Sequence, residues 1–290
     1  MTGTLRLLWP QWQGAEPGAV DALTPELNQK EGRLAYGIGG NIAALLAPPA
    51  ACPTATVPVS DYDPALPKED GIEAKTEVLR QNSAALELIA AANPDRIVTI
   101  GGDCAVSLVP FSYLAAKYGD DFAVVWLDSH ADSNLPHGPN AGLNTMVVTH
   151  LLGKGDQAVL ADLPGTVSPP QVLLAGAHGW DDQDATNVKE WDLTVIQPAE
   201  QSVFVSSVLE WLHRSGCRHV AVHFDVDVIA STDAALGMAH EPDAVTAATA
   251  LGTITAIAEH FDLVGLTVAE FVPREAMKLR SILQSLPLLC

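Results

Sequence analysis

Short apolar runs rich in β-branched residues recur along the chain, and between several of them the apolar positions fall at helical spacing. The runs are TLRLLW (4–9), TATVPV (54–59), RIVTI (96–100), FAVVWL (122–127), QVLLAG (171–176), DLTVI (192–196), RHVAVHF (218–224) and DLVGLTV (262–268). Each is apolar almost throughout rather than alternating, the pattern of strands buried on both faces of a parallel sheet. Helical spacing is clearest over 73–92, 202–214 and 243–260. Strand–helix alternation of this kind builds βαβ units with helices on both sides of the sheet. The expectation is an α/β fold: a three-layer α/β/α arrangement with an eight-stranded, mostly parallel sheet, in one domain over 1–290. No internal repeat or low-complexity linker interrupts the pattern. The proline-rich pieces AEPGAV, APPAACP and SPPQ read as loops.

Composition narrows the partners. Of 290 residues 48% are hydrophobic, enough for a substantial core, and 35 acidic against 15 basic residues give a net charge of −20. Nucleic acid and anionic membrane surfaces both need a basic footprint, so neither is an expected partner. The balance is compatible with a cationic substrate, although exposed acidic residues mostly serve solubility. The cysteines at 52, 104, 217 and 290 have no CxxC pairing and no disulfide-like spacing. The start, MTGTLRLLWPQWQG, has no charged region followed by a signal-length apolar run. No apolar stretch approaches the ~20 residues of a membrane span. A reducing, cytoplasmic location is expected.

In open α/β sheets, ligands bind at the carboxyl ends of strands. After RIVTI comes GGDCAVS, after FAVVWL comes DSHADSN, RHVAVHF runs into DVDVIAS, and DLVGLTV runs into AEFVP. These ends supply Cys104, Asp128, His130, Asp132, Asp225, Asp227 and Glu270. Asp128, His130 and Asp132 stand at every second position, so an extended chain would point all three one way. Asp225 and Asp227 repeat that spacing. Alone, a D-x-D reads as a capped turn as readily as a ligand pair, and D-x-H-x-D has the plainer reading of an N-cap aspartate beside a core histidine. Together, four carboxylates and one imidazole exceed what one transition metal uses and describe a binuclear hydrolytic site.

At these blocks the sequence resembles the ureohydrolase family, which includes arginase, agmatinase, guanidinobutyrase and formimidoylglutamase. The family's blocks GGDHS, DAHxD, SxDxDxxDP and VExxP stand here, in order, as GGDCAVS (101–107), DSHAD (128–132), HFDVDVIAS (223–231) and AEFVP (269–273). The resemblance covers about residues 95 to 275; the N-terminal third carries no diagnostic motif. It implies an arginase/deacetylase-like fold, two divalent metal ions, a small guanidino substrate and a homo-oligomer (trimer or hexamer). By matching position, Asp128 and Asp225 would bridge the ions. Asp132 and Cys104 would complete one, and His130 and Asp227 the other. Asp132 would also orient the attacking water, and Glu270 would face the substrate guanidinium. Manganese is the metal the resemblance implies. Cys104 in a histidine slot adds zinc, nickel or iron, because thiolate is a softer ligand.

Other positions depart from the family. Asn144 occupies the place of a proton-shuttle histidine; His137, seven residues earlier, is either its substitute or an exposed loop residue. HFDVDVIAS lacks the usual D-P, and GMAHEPDAV lacks a glycine pair. His240 lies in that second segment, near the expected mouth of the site or simply at a helix entry. His178 stands where family members often carry arginine and reads as structural. Two functions remain. One is a binuclear hydrolase cleaving a C–N bond of a guanidino or amidino compound; the other is a catalytically reduced homologue acting as a binding or regulatory subunit. Deacetylation on the related single-zinc fold is disfavoured by the D-x-D pair and Glu270.

Overall fold

In the computed structural model, which describes residues 3–23, 32–60 and 66–289, each of the eight apolar runs forms a strand. They are β1 (Thr4–Trp9), β2 (Thr54–Thr56), β3 (Arg96–Gly101), β4 (Phe122–Leu127), β5 (Val172–Ala175), β6 (Thr194–Ile196), β7 (His219–Asp225) and β8 (Asp262–Ala269). One sheet holds all eight in the order β2-β1-β3-β8-β7-β4-β5-β6. Every pairing in it is parallel, so the sheet expected to be mostly parallel is parallel throughout. The second apolar run outlasts its strand: β2 stops at Thr56, just before Pro58, which has no N–H to give a ladder.

Alternate residues of the strands feed two different cores. Phe122, Val124 and Trp126 of β4 pack with Val78, Ala85 and Ile89 of helix Lys75–Ala92 and Phe111 and Leu114 of helix Leu108–Tyr118. Ala123, Val125 and Leu127 pack on the other side with Phe204, Val208 and Leu212 of helix Gln201–Ser215 and Ile254 and Ile257 of helix Ala247–His260. That double burial is why the strands read as continuous apolar runs. The three helices expected from spacing all form, with their starts moved by chain chemistry. Lys75–Ala92 begins after Ala74 and ends at Asn93, both in the left-handed region. Ala247–His260 starts four residues later than the apolar pattern, where the Thr246 side chain accepts from Thr249 N–H and caps it.

The strand order carries the functional consequence. The four strands whose ends bear the polar blocks, β3, β8, β7 and β4, are consecutive in the sheet. Cys52, Cys104 and Cys217 are free thiols; Cys290 lies outside the described residues. Among the described residues no helix is long and apolar enough to cross a membrane.

Candidate metal centre

The turn after β3 is built so that one side chain faces inward. Gly102 donates its N–H to Trp9 O (3.0 Å) and accepts from Glu270 N–H (2.6 Å). A Cβ there would lie 1.7 Å from Gln11 O, so only glycine fits. Asp103 is spent on the turn itself: its carboxylate accepts from Ala105 N–H (3.0 Å) and Gly14 N–H (2.9 Å). Burial pushes its carboxyl up to about 7. Cys104 is left to project into the centre, where its Sγ lies 3.0 Å from Asp225 Oδ2.

The block after β4 converges for a different reason than the alternation suggested. The strand ends at Leu127, and the chain bends through 128–130 and reaches Asp132 at φ 46°. Turn geometry, not the pleat, brings the three side chains together. Asp128 accepts from His130 N–H (2.7 Å) and from Trp126 Nε1–H (3.0 Å). His130 Nδ1 lies 3.4 Å from Asp128 Oδ1 and 3.3 Å from Asp227 Oδ2, while its Nε2 is 3.8 Å from Glu241 Oε1.

At the end of β7, Asp225 accepts from Asp227 N–H (2.7 Å). This is the capped turn that D-x-D alone permits, yet one oxygen of each residue stays inside the centre. His223, two residues earlier on the same strand face, is fully buried beside them. Its ring stacks on Trp126 (centroids 3.6 Å apart, 9° between planes), its Nδ1 is 2.7 Å from Ser107 Oγ, and its Nε2 is 3.8 Å from Asp128 Oδ2.

Two groups of side chains therefore offer ligand atoms within 4.8 Å of one another: Cys104, Asp128, His223 and Asp225, and Asp128, His130 and Asp227. Asp128 belongs to both. Asp132 and Glu270 belong to neither but line the same cavity. Glu270 follows β8 at φ 65°, accepts from Cys104 N–H (2.9 Å), and is hydrogen-bonded to the buried Tyr36.

The electrostatics ask for a cation. Burial, then repulsion from Asp227, raises the Asp128 carboxyl to about 6. Burial, then the charge of Asp103, raises Glu270 to about 8. Asp225 and Asp132 are pushed up by burial and then by neighbouring carboxylates. Burial and the Glu270 and Asp225 charges raise the Cys104 thiol. Asp227 moves down despite its burial, because His130 lies against it. Burial lowers His223 to about 3, so its imidazole is neutral, the form that binds metals. Asp132 Oδ2, Asp227 Oδ1 and His223 Nε2 are buried without a hydrogen-bond partner. Carboxylate, imidazole and thiolate donors around orphaned buried atoms fit divalent metal ions.

Above this floor is a cavity of 240 Å³ walled by Glu16, Asp181, Asp184 and Glu241 together with Asn140, Asn144 and Tyr36; among the described residues no lysine or arginine lines it. Asn144 faces the cavity, while His137 is exposed at φ 66° outside it. His240 is exposed and bonded to Arg274 Nη1 (2.7 Å). His178 is held by Gly176 O at Nδ1 (2.7 Å), with Nε2 3.7 Å from Glu241. Sequence reasoning passed over His223, Tyr36 and Glu241. Only His223 left a signal, its i, i+2 spacing to Asp225.

The model of the arginase family matches residues 44–282. The chain belongs to the arginase family. Among curated relatives, an arginase of Staphylococcus aureus is 22% identical over 60% of this chain and 60% of its own length. An arginase of Eremothecium gossypii is 27% identical over 64% of this chain and 49% of its own length. The chain thus spans about half to three fifths of these relatives. Solved structures align over nearly the whole chain. Entamoeba histolytica arginase in complex with L-ornithine has a TM-score of 0.76 at 17% identity, covering 98% of this chain and 97% of that one. A putative agmatinase from Clostridium difficile has 0.65 at 14% identity, covering 99% and 96%. At these identities the structural likeness speaks for the arginase-family fold.

Proposed function

We propose that this arginase-family chain is a binuclear metal-dependent hydrolase that cleaves a C–N bond of a guanidino or amidino compound and releases urea or a related product. The observation that carries the reading is one cavity with two sets of ligand atoms at or beneath its floor and an acidic wall with no lysine or arginine among the described lining residues. Asp128, shared by both sets, would be held in common by the two ions, with Asp225 beside it. His130 and Asp227 would serve one ion and, on the family resemblance, Cys104 and Asp132 the other. Two divalent ions held here would acidify a water and so supply a nucleophile near neutral pH.

The remaining chemistry belongs to the protein. Glu270, positioned by the Cys104 N–H and Tyr36, pairs with the planar guanidinium of the substrate. That cation supplies the charge which keeps Glu270 ionised. Asp132, whose free oxygen has no protein partner, accepts a hydrogen bond from the attacking water and orients it toward the trigonal carbon. Asp132 and Glu270 are themselves buried at the floor, which strengthens both contacts.

A catalytically reduced homologue is the second reading, and Asn144 favours it. That cavity residue has no titratable proton to relay. The deciding experiment reconstitutes the full chain with manganese, zinc, nickel or cobalt, counts bound metal, and screens guanidino compounds for urea release. Two ions per chain with release from at least one compound supports the hydrolase; one ion or none, with no release from any compound, supports the reduced homologue. We also propose assembly into a trimer or hexamer in a cytoplasmic setting.

A further inference from the structure

We propose that His223 is a metal ligand, completing with Cys104, Asp128 and Asp225 a zinc-type site of mixed sulfur, nitrogen and oxygen donors beside the harder His130–Asp227 site. This rests on the two-metal reading and changes what one of its sites is made of.

His223 has the features of a ligand awaiting its ion rather than those of a packed core histidine. It is fully buried, and Nε2 has no hydrogen-bond partner. A buried imidazole nitrogen left unpaired is unfavourable unless something compensates it. Its other nitrogen is already engaged: Nδ1 is hydrogen-bonded to Ser107 Oγ at 2.7 Å, and the tautomer in which Nδ1 is the donor leaves the Nε2 lone pair for a metal. A hydrogen bond at one ring nitrogen selects the tautomer that frees the other for a metal. The stack on Trp126 holds the ring plane, and the indole N–H of Trp126 also holds Asp128. One side chain thus orients two members of the group.

The distances suit a small ion. Bonds of about 2.0–2.3 Å to a tetrahedral zinc put its donors roughly 3–4 Å apart. Cys104 Sγ is 3.0 Å from Asp225 Oδ2, and His223 Nε2 is 3.8 Å from Asp128 Oδ2. Binding releases the Cys104 thiol proton to solvent and leaves the neutral imidazole as it is. Across the four sequence blocks the departures then read as one exchange. GGDCAVS has lost an imidazole for a thiol at Cys104, and HFDVDVIAS carries one at His223, where the resembled block has serine. Thiolate with imidazole selects zinc or cobalt over manganese. The His130–Asp227 side, with Asp128, keeps imidazole and carboxylates only.

The test uses the metal-free full chain titrated with cobalt, because thiolate-bound cobalt absorbs in the near ultraviolet. The wild-type protein is expected to show that absorption, and Cys104→Ser to lose it. His223→Phe keeps a ring against Trp126 but has no donor. It should weaken the thiolate-bound cobalt by more than the ~10–100-fold typical of outer-shell changes, while cobalt at the His130–Asp227 site is retained. Cadmium NMR of wild-type protein carrying isotopically labelled histidine gives a second readout free of any variant's folding; one thiolate-bound cadmium should couple to a buried histidine nitrogen. A wild-type thiolate–cobalt absorption that His223→Phe leaves at unchanged affinity would overturn the assignment, as would thiolate-bound cadmium without histidine coupling. Cobalt bound without any thiolate absorption also overturns it, and leaves the two-metal reading to be judged separately by stoichiometry and urea release.

Discussion

At the scale of single residues, the centre is a place where stability and ion binding pull in opposite directions. Asp128 offers atoms to both ligand groups. Asp128→Asn should therefore lower the affinity for both ions, whereas His130→Asn should spare the ion at Cys104; metal content after gel filtration separates the two. With metal removed the sign reverses. Replacing one of several buried, mutually repelling carboxylates by a neutral amide relieves them, so chelated Asp225→Asn should melt higher than chelated wild type. A gain of about 1 kcal/mol corresponds to ~2–4 °C for a chain of this size or somewhat smaller. The same groups set a pH dependence. Glu270 is raised to about 8 and Asp103 to about 7, so the folded state holds protons that the unfolded chain gives up near pH 4–5. Stability they contribute at low pH is lost as pH rises through those values. His130 is raised as well, against its own desolvation, by Asp227 and Asp128, and acts in the same direction. His223 and His150, lowered by burial to about 3 and about 4, act oppositely, but only below pH 6.5. The clean window is pH 6.5–8: chelated protein should lose melting temperature across it, and metal-loaded protein should lose much less. Equal slopes with and without metal would mean that the carboxylates do not face the ions.

At the scale of elements, the sheet was legible because burial on both faces leaves continuous apolar runs, and all eight runs are strands. Their order was not legible. That β8 lies between β3 and β7 depends on pairings among segments up to 168 residues apart, such as Leu266 beside Val98, and local pattern carries no such information. The strand-end residues were legible because an acidic residue directly after a buried run stands out chemically. His223 did not stand out, since it lies inside the run, where an imidazole reads as one polar residue in a core strand. Tyr36 and Glu241 lie on elements without a diagnostic motif and reach the cavity only through tertiary packing. Asp128, His130 and Asp132 owe their placement to a bend and to the positive φ of Asp132, not to the pleat that their alternation suggested. The joint between elements is itself testable at Gly102, which ties β1, β3 and the residue after β8 together by hydrogen bonds. Gly102→Ala drives a methyl onto Gln11 O, and relief requires moving the backbone that presents Cys104 and Glu270. A loss of about 1–3 kcal/mol is expected, read by denaturant titration of the chelated protein and accompanied by weaker metal binding. An alanine variant as stable as wild type would show that the turn has slack.

At the scale of the whole molecule, charge and cavity point the same way. A net charge of −20 surrounds a cavity whose wall carries Glu16, Asp181 and Glu241, so an approaching cation meets an attractive field well before contact. If the substrate is a guanidino compound, its far end decides how much of that field it feels. A guanidino amine such as 4-guanidinobutylamine carries two positive charges and gains at both ends. A guanidino acid such as 4-guanidinobutanoate is neutral overall and must bring its carboxylate past the acidic wall. The prediction is a higher kcat/KM for the amine, with an advantage that shrinks as salt is added. Raising ionic strength from about 0.01 M to about 0.15 M shortens the screening length from about 30 Å to about 8 Å, which removes long-range attraction and leaves contacts inside the cavity largely intact. The salt effect should appear in kcat/KM and spare kcat, because steering acts on encounter rather than on bond cleavage. A preference for the acid that is insensitive to salt would place selection in short-range contacts of the mouth and set the acidic surface aside as a solubility feature.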